Sequence, residues 1–440
     1  MMIRFFKTII ITILSILVCS CGQSRNVPAQ TIYVENHIED TTEDLSDILI
    51  FPVKKNSSFT LKKDIDLGGN SYIIPEGVTI KGKKGVIKNG TLIGKDTKIE
   101  GVQPIFDKVT IKGVWVVPEI STKMFKDLDY DNSLRDVMAL TNESVNNIVE
   151  LLEGVYYIKL TKNQETGIYI RSNTDVFLCG EIHLRPNSFT NYHVVELTGN
   201  NCSLSGKGIV IGDKTNHTGT TGEWGMGVDF FRVENASISG ITIKDCWGDC
   251  IYVGDESKNV TIDNCILNNG RRQGISITSA NGVIVRKCTI CDVGGTDPEY
   301  AIDIEPNKGK TIDNILIENV TVKNCKGGFM ANGSAIDSRI GTVTIKGCNV
   351  DADDKPGINM GKCENVTVRQ CVVVQQNTAR GINCENIKNL VIQNNEVHQY
   401  YLRNLGVVKS ALIKVGKDRL DPIRVSNCEI NNVEANKYVF

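Results

Sequence analysis

Short runs of alternating apolar and polar residues fill most of the chain, and one run recurs with little variation. It has an apolar, a polar and an apolar residue, then two polar residues and often Cys, as in Val260-Thr-Ile-Asp-Asn-Cys265. Eight copies end between residues 246 and 428, about 26 residues apart on average. A second phrase, as in Gly274-Ile-Ser-Ile277, alternates with the first. Each repeat therefore holds at least two short strands with period-two alternation.

A third apolar pair, such as Ile266-Leu267, follows the first phrase closely and predicts a third strand. Three short strands in about 26 residues are typical of one coil of a right-handed parallel β-helix, whose coils stack ~4.8 Å apart. The sequence therefore predicts an all-β solenoid, with Ile and Val inside and Cys and Asn stacked at the turns. A leucine-rich horseshoe would need a Leu-rich phrase and many helices. An antiparallel sandwich would not keep one phrase in register eight times.

The region before the repeats is predicted to close the solenoid. Residues 46–160 are interpreted as a strand-rich segment with a capping helix, and residues 161–440 as the parallel β-helix. Apolar residues of 132–154 fit one helical face, with Gly154 at the C-cap. A helix here would cover the apolar end of the first coils. After Cys428 no amphipathic helix is evident, so either the tail or another chain is expected to cover the last coil.

The first residues indicate export. Arg4 and Lys7 precede the uncharged run Thr8–Val18, which is too short to span a bilayer but suits a signal peptide over residues 1–20. The next residues, Val18-Cys-Ser-Cys21, resemble a bacterial lipobox and predict lipidation of Cys21; an ordinary signal peptide is the alternative. Residues 21–45 are predicted to be a tether between the lipid and the folded domain. Gly22 after the Cys favours the outer membrane, and the sequence does not decide between its periplasmic and its outer side.

The amino-acid composition limits the classes of ligand and partner that the protein can bind. The net charge of −2 gives no basic footprint for nucleic acid. Fifteen Cys would suggest disulfides in an exported protein, but many recur at one place in the repeat, so most are predicted to be buried free thiols. No Cys or His spacing indicates a zinc site, and no cofactor or metal is predicted. The oligomeric state stays open.

From about Asp131 to Asn307 the chain resembles the pectin-lyase-like superfamily, and within it the polygalacturonase-like glycoside hydrolases. The phrases "LSGKGIVIGD", "CWGDCIYVG" and "RRQGISITS" are similar to coils of that family. The resemblance implies the β-helix fold and a polysaccharide substrate. The family's catalysis uses three Asp with a His and an Arg-x-Lys. Here Asp249 takes one Asp position, whereas Gly248, Gln273 and the segment Asp303-Ile-Glu305 stand at the other places, so that mechanism does not carry over intact.

The alternation places a set of polar side chains on one outer wall. Because Ile251, Ile275 and Ile302 are predicted to point inward, their polar neighbours point outward. This wall comprises Asp249, Tyr252, Arg272, Gln273, Ser276, Asp303 and Glu305, with Arg271 at its edge. Asp303 and Glu305 start ~7 Å apart on one strand, a separation that suits the acid and base of an inverting glycosidase. The predicted catalytic residues are Asp249, Asp303 and Glu305, and the remaining members of the wall are predicted to bind substrate.

Two other functions stay open. A uronate lyase would use Arg272 or Tyr252 as base and would hold Ca²⁺ with Asp303 and Glu305, although no Ca²⁺ loop is evident. A non-catalytic glycan-binding or adhesion protein is the second alternative. For Asp303 and Glu305 themselves, the alternative to a catalytic or binding role is that they only form salt bridges with Arg272 on a solvated surface.

Aromatic side chains near the wall are candidates for sugar stacking. Trp224 lies in a Gly/Thr-rich loop and Trp247 begins a coil of the wall, and packing under a loop is the alternative for both. Glu223 is a weaker candidate. His217, alone in its loop, is expected at the surface.

Overall fold

The computed structural model describes residues 53–101, 103–375, 381–397, 400–415, 424–426 and 429–431. The predicted signal peptide, Cys21, the tether and the tail beyond residue 431 lie outside these residues. No helix within the described ranges has the length and apolar character needed to cross a membrane.

The described chain begins with a small parallel sheet of six strands. Its strands are β1 (Ser58–Leu61), β2 (Ile65–Asp66), β3 (Ser71–Ile73), β4 (Thr79–Gly82), β5 (Ile87–Glu100) and β6 (Phe106–Val116). The order is β1-β4-β5-β2, and both β3 and β6 also pair with β5. The strand-rich character predicted for this segment is confirmed, although β5 is a long strand of 14 residues.

A second sheet of 33 strands holds the rest of the described chain. Its strands are β7 (Glu119–Ser121), β8 (Asn147–Leu151), β9 (Val155–Ile158), β10 (Thr166–Arg171), β11 (Thr174–Leu178), β12 (Glu181–Leu184), β13 (Asn191–Asn200), β14 (Ser203–Gly206), β15 (Ile209–Ile211), β16 (Trp224–Ser239), β17 (Thr242–Lys244), β18 (Ile251–Gly254), β19 (Ser257–Asp263), β20 (Ile266–Asn268), β21 (Ile275–Ile277), β22 (Ala280–Arg286), β23 (Thr289–Cys291), β24 (Tyr300–Ile304), β25 (Thr311–Glu318), β26 (Thr321–Cys325), β27 (Gly327–Asn332), β28 (Arg339–Ile340), β29 (Thr342–Lys346), β30 (Asn349–Ala352), β31 (Ile358–Gly361), β32 (Asn365–Arg369), β33 (Val372–Gln375), β34 (Ile382–Glu385), β35 (Asn389–Val397), β36 (Tyr400–Arg403), β37 (Val407–Val415), β38 (Arg424–Ser426) and β39 (Glu429–Asn431).

The strands of this sheet form three parallel faces, because each strand pairs with its equivalent in the next coil. The first face contains β10, β13, β16, β18, β21, β24, β27 and their successors. The second contains β8, β11, β14, the C-terminal part of the long strand β16, β19, β22 and β25. The third contains β9, β12, β15, β17, β20 and β23. The predicted right-handed parallel β-helix is thus confirmed.

The core is a set of inward columns that run along the solenoid. On the first face Ile251 pairs with Ile275, which pairs with Ile302, and all three side chains are fully buried. Parallel pairing in register puts the same repeat position in line in every coil, so the apolar residues of successive coils contact one another. The predicted inward direction of these residues is confirmed.

A ladder of asparagines follows one turn of the solenoid. Asn173, Asn201, Asn235 and Asn259 all have positive φ angles between 52° and 59°. Asn tolerates this left-handed backbone better than other non-Gly residues because its short side chain bonds locally. Each amide donates to the amide oxygen of the preceding member, at 3.0–3.4 Å. The predicted stacking of Asn at the turns is confirmed.

The cysteines behave as core residues. All twelve described Cys are free, and ten of them are buried. Their thiols commonly contact backbone carbonyls, as when Cys288 Sγ approaches the carbonyl oxygen of Ile262 at 3.6 Å. The prediction of buried free thiols is confirmed for the described part of the chain, where Cys179 and Cys291 are the two half-buried members.

The predicted helix over residues 132–154 is wrong beyond its first turns. A helix, α1, covers Ser133–Met138, and a 3₁₀ turn covers Thr122–Met124. The helix ends at Met138, and Asn147 holds the turn that leads into the next strand, since its amide donates to the carbonyl oxygens of residues 142 and 145. Residues 147–151 form β8, in which Val149 and Leu151 point inward while Ile148 is 55% exposed. The apolar spacing of this stretch fits a strand as well as a helix. The second sheet accordingly extends N-terminal to residue 161, back to Glu119.

Candidate functional site

The outer side of the first face carries a column of polar side chains. Tyr252 pairs with Ser276, which pairs with Asp303, so these three predicted site residues lie in line across successive coils. The column continues in the opposite direction through Asp229 to Glu196. Because their apolar neighbours point into the core, all five side chains project from the outer side of their strands. We call this outer side of the first face the polar face.

Asp249 lies on the polar face, just before β18, and is fully buried. Its Oδ2 accepts a hydrogen bond from Ser276 Oγ at 2.7 Å and lies 3.5 Å from Arg272 Nη1. Its Oδ1 has no hydrogen-bond partner among the described residues. Burial raises the pKa of Asp249, whereas Arg272 and Ser276 oppose the rise. Arg272 is thus the counter-charge that permits an ionised carboxylate here.

Asp303, on β24, is 3% exposed. Its Oδ2 accepts from Gln273 Nε2 at 2.8 Å, and Gln273 Oε1 in turn accepts from the backbone N–H of Tyr300 at 2.7 Å. Its Oδ1 has no partner among the described residues. Burial, together with the charge of Glu305, raises the pKa of Asp303 to about 8. The carboxyl group is therefore mainly protonated at neutral pH.

Glu305 follows Asp303 on the same side of the chain and is half-buried. Its Oε1 accepts a hydrogen bond from Asn332 Nδ2 at 3.0 Å. Nearby, Tyr252 OH accepts from Thr278 Oγ1 at 2.7 Å, and burial raises the pKa of this tyrosine. The structure therefore brings the predicted carboxylates and Tyr252 onto one face.

The polar face is not the solvated surface that one alternative required. Asp249, Gln273, Ser276 and Asp303 are all at most 3% exposed. Arg272 lies within ion-pair distance of Asp249 and of Glu223, and no ion pair joins it to Asp303 or Glu305 in the described residues. The prediction of surface salt bridges from Asp303 and Glu305 to Arg272 is therefore wrong.

Arg271 anchors the loop that precedes β16. Its Nε donates to the carbonyl oxygen of Trp247 at 2.5 Å, and another guanidinium nitrogen donates to the carbonyl oxygen of Gly222. The guanidinium carbon lies 3.8 Å from the centroid of the Trp247 ring. Arg271 therefore holds the loop instead of projecting from the polar face. Trp224, at the end of this loop, is 53% exposed and remains available for stacking.

His217 is buried, so the expectation of a surface histidine is wrong. Its side chain is fully covered, and its Nδ1 lies 2.9 Å from Asp213 Oδ2. The imidazole stacks on Trp247 with ring centroids 4.0 Å apart. Because His217 and Arg271 both contact the Trp247 ring, this indole packs under the loop, as the alternative interpretation of Trp247 proposed.

Sequence reasoning missed three residues on the polar face, His193, Glu196 and Asp229. His193 Nδ1 lies 3.1 Å from Glu196 Oε2 and 3.4 Å from Asp229 Oδ2. Val194 and Val195 are both buried, so the period-two alternation that located the other outward residues breaks between His193 and Glu196. Asp229 alternates normally between buried neighbours in "GVDFF", a signal that the sequence analysis did not use.

Comparisons with known proteins agree with the fold. Residues 146–336 match the family described as the right handed beta helix region. The SPbeta prophage-derived uncharacterized protein YorA of Bacillus subtilis (strain 168) is 30% identical over 243 residues, which are 47% of this chain and 41% of YorA. The uncharacterized protein YclG of the same strain is 26% identical over 328 residues, 61% of this chain and 56% of YclG. The alignments thus span about half the length of these relatives.

Among solved structures, the hyperthermoactive exopolygalacturonase of Thermotoga maritima is 15% identical, with a TM-score of 0.43. The match covers 71% of this chain and 91% of that enzyme.

Proposed function

We propose that the polar face binds a polysaccharide and hydrolyses it, with Asp303 as the general acid. The observation that carries this proposal is a carboxyl group with a pKa of about 8 beside two other carboxylates, Glu305 and Asp249. Glycosidases place a protonated and an ionised carboxyl group in different environments so that one donates and the other accepts a proton at the same pH.

In the proposed reaction Asp303 gives its proton to the oxygen of the leaving sugar, and Glu305 takes a proton from the attacking water. Their side chains start ~7 Å apart, which leaves room for that water and favours inversion at the anomeric carbon. Asp249, with Arg272 as its counter-charge, would stabilise the positive charge that develops on the sugar ring. Since the Oδ1 atoms of Asp249 and Asp303 are both covered, the side chains above them must move when glycan binds.

A lyase is less well supported by the same residues. Burial raises the pKa of Tyr252. Burial lowers the pKa of Arg272, but the charges of Asp249, Asp303 and Glu223 outweigh it and raise the value. Both candidate bases therefore hold their protons at neutral pH, and neither is ready to remove a proton from a uronic acid.

The second candidate function, glycan binding without cleavage, draws on a specific observation. Asp249 and Asp303 are both covered and each accepts a hydrogen bond from a buried neighbour, which suits a structural pair as well as a catalytic one. On this alternative the exposed Trp224 would supply the contact with sugar.

Incubation with a panel of plant, algal and bacterial glycans tests the proposal. We expect new reducing ends without a product that absorbs ultraviolet light, and a single anomer in the initial product. An unsaturated product would replace the hydrolase with a lyase. Retention of a glycan with no cleavage over days would leave only the binding function, and no retention of any glycan would contradict both.

We also propose that the protein is exported and anchored in the bacterial outer membrane through a lipid on Cys21. The run Thr8–Val18 and the lipobox-like residues before Cys21 support this proposal. Metabolic labelling with a radioactive fatty acid should label the original protein, whereas the Cys21→Ala variant should carry no label. The matched variant Cys19→Ala should keep the label, because Ala is a usual residue two positions before a lipidated Cys. Label retained in Cys21→Ala would contradict the proposal.

A further inference from the structure

We propose that His193, Glu196 and Asp229 form a binding site for a divalent transition-metal ion of the Zn²⁺ type. One ligand atom from each of the three lies within 4.8 Å of the other two. His193 Nδ1 is 3.1 Å from Glu196 Oε2 and 3.4 Å from Asp229 Oδ2. In a tetrahedron with bonds of 2.0–2.1 Å, two ligand atoms are about 3.3–3.4 Å apart, so both distances suit a shared ion.

Asp229 supplies independent evidence that a cation belongs here. Its side chain is 4% exposed, and its Oδ1 has no hydrogen-bond partner among the described residues. A buried carboxyl group with one oxygen that lacks a donor is stabilised either by a proton or by a neighbouring cation, and either one compensates for the hydration that Oδ1 has lost. The Nδ1–H of His193 can form only one well-aligned hydrogen bond, and Nδ1 lies closer to Glu196 than to Asp229. A metal ion in place of that proton would contact both carboxylates at once.

The surroundings match those of known metal ligands. Thr166 Oγ1 donates to Glu196 Oε2 at 3.1 Å, and such outer contacts fix the orientation of a ligating carboxylate. His193 and Glu196 both lie on β13, and Asp229 lies directly beside Glu196 on β16, so the backbone ladder holds all three ligands in place. The His193 side chain is 23% exposed, which leaves a side from which an ion can enter.

The donor set selects the metal. Ca²⁺ takes six to eight oxygen ligands at 2.3–2.6 Å, whereas this site offers one imidazole nitrogen and two carboxylates. Imidazole with carboxylate suits Zn²⁺ and related ions. Three protein ligands leave the fourth position for water or for an oxygen of a bound molecule. Asp229 pairs with Tyr252, so this open position lies one coil from Tyr252 and three coils from Asp303 on the same face. The metal site does not depend on hydrolysis and is tested without it.

Isothermal titration of the tag-free, chelator-treated full chain with Zn²⁺ tests the site, and Co²⁺ absorption reports its coordination. We expect one Zn²⁺ per chain and a higher melting temperature in its presence. His193→Ala and Asp229→Asn should weaken binding about 100-fold or more, and Thr166→Val by about 10- to 100-fold. The two ligand variants change different strands, so circular dichroism of each shows which of them keeps the fold.

The matched control is His183→Ala. His183 forms a similar pair with Glu181, at 2.7 Å, on the third face, but no third ligand joins them within the part of the chain that the structure describes. This variant should bind Zn²⁺ like the original protein. The proposal is overturned if no Zn²⁺ binds, which would leave an imidazolium between two carboxylates. It is equally overturned if a folded Asp229→Asn variant binds as tightly as the original chain.

Discussion

Asp303→Asn is expected to remove hydrolysis and, at the same time, to stabilise the protein against denaturant. A positioned general acid contributes about 10²- to 10⁴-fold, so the rate on the glycan found by the panel should fall by about 10³-fold. The amide keeps the shape of the side chain and can still accept the hydrogen bond from Gln273. Loss of activity would therefore come from loss of the proton and not from loss of the fold.

The stability effect follows from the pKa. Asp303 has an ordinary value of 3.8 in the unfolded chain and about 8 when folded. The neutral form thus favours folding; this contribution is complete below pH 3.8 and is lost as the pH rises through 8. Asn has no proton to lose, so the advantage of the variant should grow from pH 4 to pH 8, towards an upper limit on the order of 5 kcal/mol. Urea unfolding at pH 4 and at pH 8 measures it.

Glu318→Gln is the control for this acid-to-amide change. Glu318 lies on the second face and forms an ion pair with Lys346 at 2.6 Å, partly exposed to solvent. Its loss should change the free energy of unfolding by about 1 kcal/mol or less and leave the rate unchanged. Full activity in Asp303→Asn would exclude Asp303 as the acid. An equal free-energy difference at both pH values would show that its carboxyl group is not held neutral.

Arg272→Met is expected to destabilise the protein by about 3 kcal/mol at neutral pH, because it leaves Asp249 buried without its counter-charge. The methionine keeps much of the apolar contact of the arginine stem, so the loss reports charge more than packing. The companion Asp249→Asn should be milder, and the double variant should recover most of the stability. Urea unfolding of the four proteins gives the coupling energy of the pair.

Arg286→Met supplies the comparison for this cycle. Arg286 pairs with Asp263 at 2.8 Å, a shorter distance than in the Arg272 pair, but both partners are more exposed. Burial and not distance should decide the outcome, so Arg286→Met should destabilise the protein much less than Arg272→Met. Equal losses in the two arginine variants would contradict the assignment of Arg272 as the counter-charge of a buried carboxylate.

The fold was predictable because the solenoid repeats one local rule. In every coil the partner of a side chain is the same position in the next coil, as for Ile251, Ile275 and Ile302. The alternation therefore determines the inward direction with no knowledge of distant contacts. The stretch from 147 to 151 was mistaken for helix because Ile148, Val149 and Leu152 fit a 3.6-residue period, and only the pairing with β11 decides between helix and strand.

The sequence predicted on which side of the strands the site residues lie, but not how deeply they are buried. The alternation placed Asp303 outside the core, and Asp249 contacts Ser276 on the same outer side, yet nothing in the sequence indicated that both acids are covered. Near these residues, Arg271 and Arg272 hold the loop before β16 through Gly222 and Glu223, in contacts across about fifty residues of sequence that no local pattern predicts. Burial in turn sets the pKa of Asp303, which no local pattern encodes. Similarly, Val194 and Val195 are adjacent and both buried, which breaks the alternation, so the sequence pattern did not identify His193 and Glu196 as residues of the polar face.

In-register stacking also bears on how such a protein can change over evolutionary time. Every coil presents the same hydrogen-bonding edge at its top and its bottom, so duplication or deletion of one whole coil leaves the pairing elsewhere intact. The binding surface can then lengthen or shorten in increments of ~4.8 Å while Asp249 and Asp303 keep their mutual geometry. Substrate length and catalytic chemistry are thus separable traits in this architecture, open to independent selection.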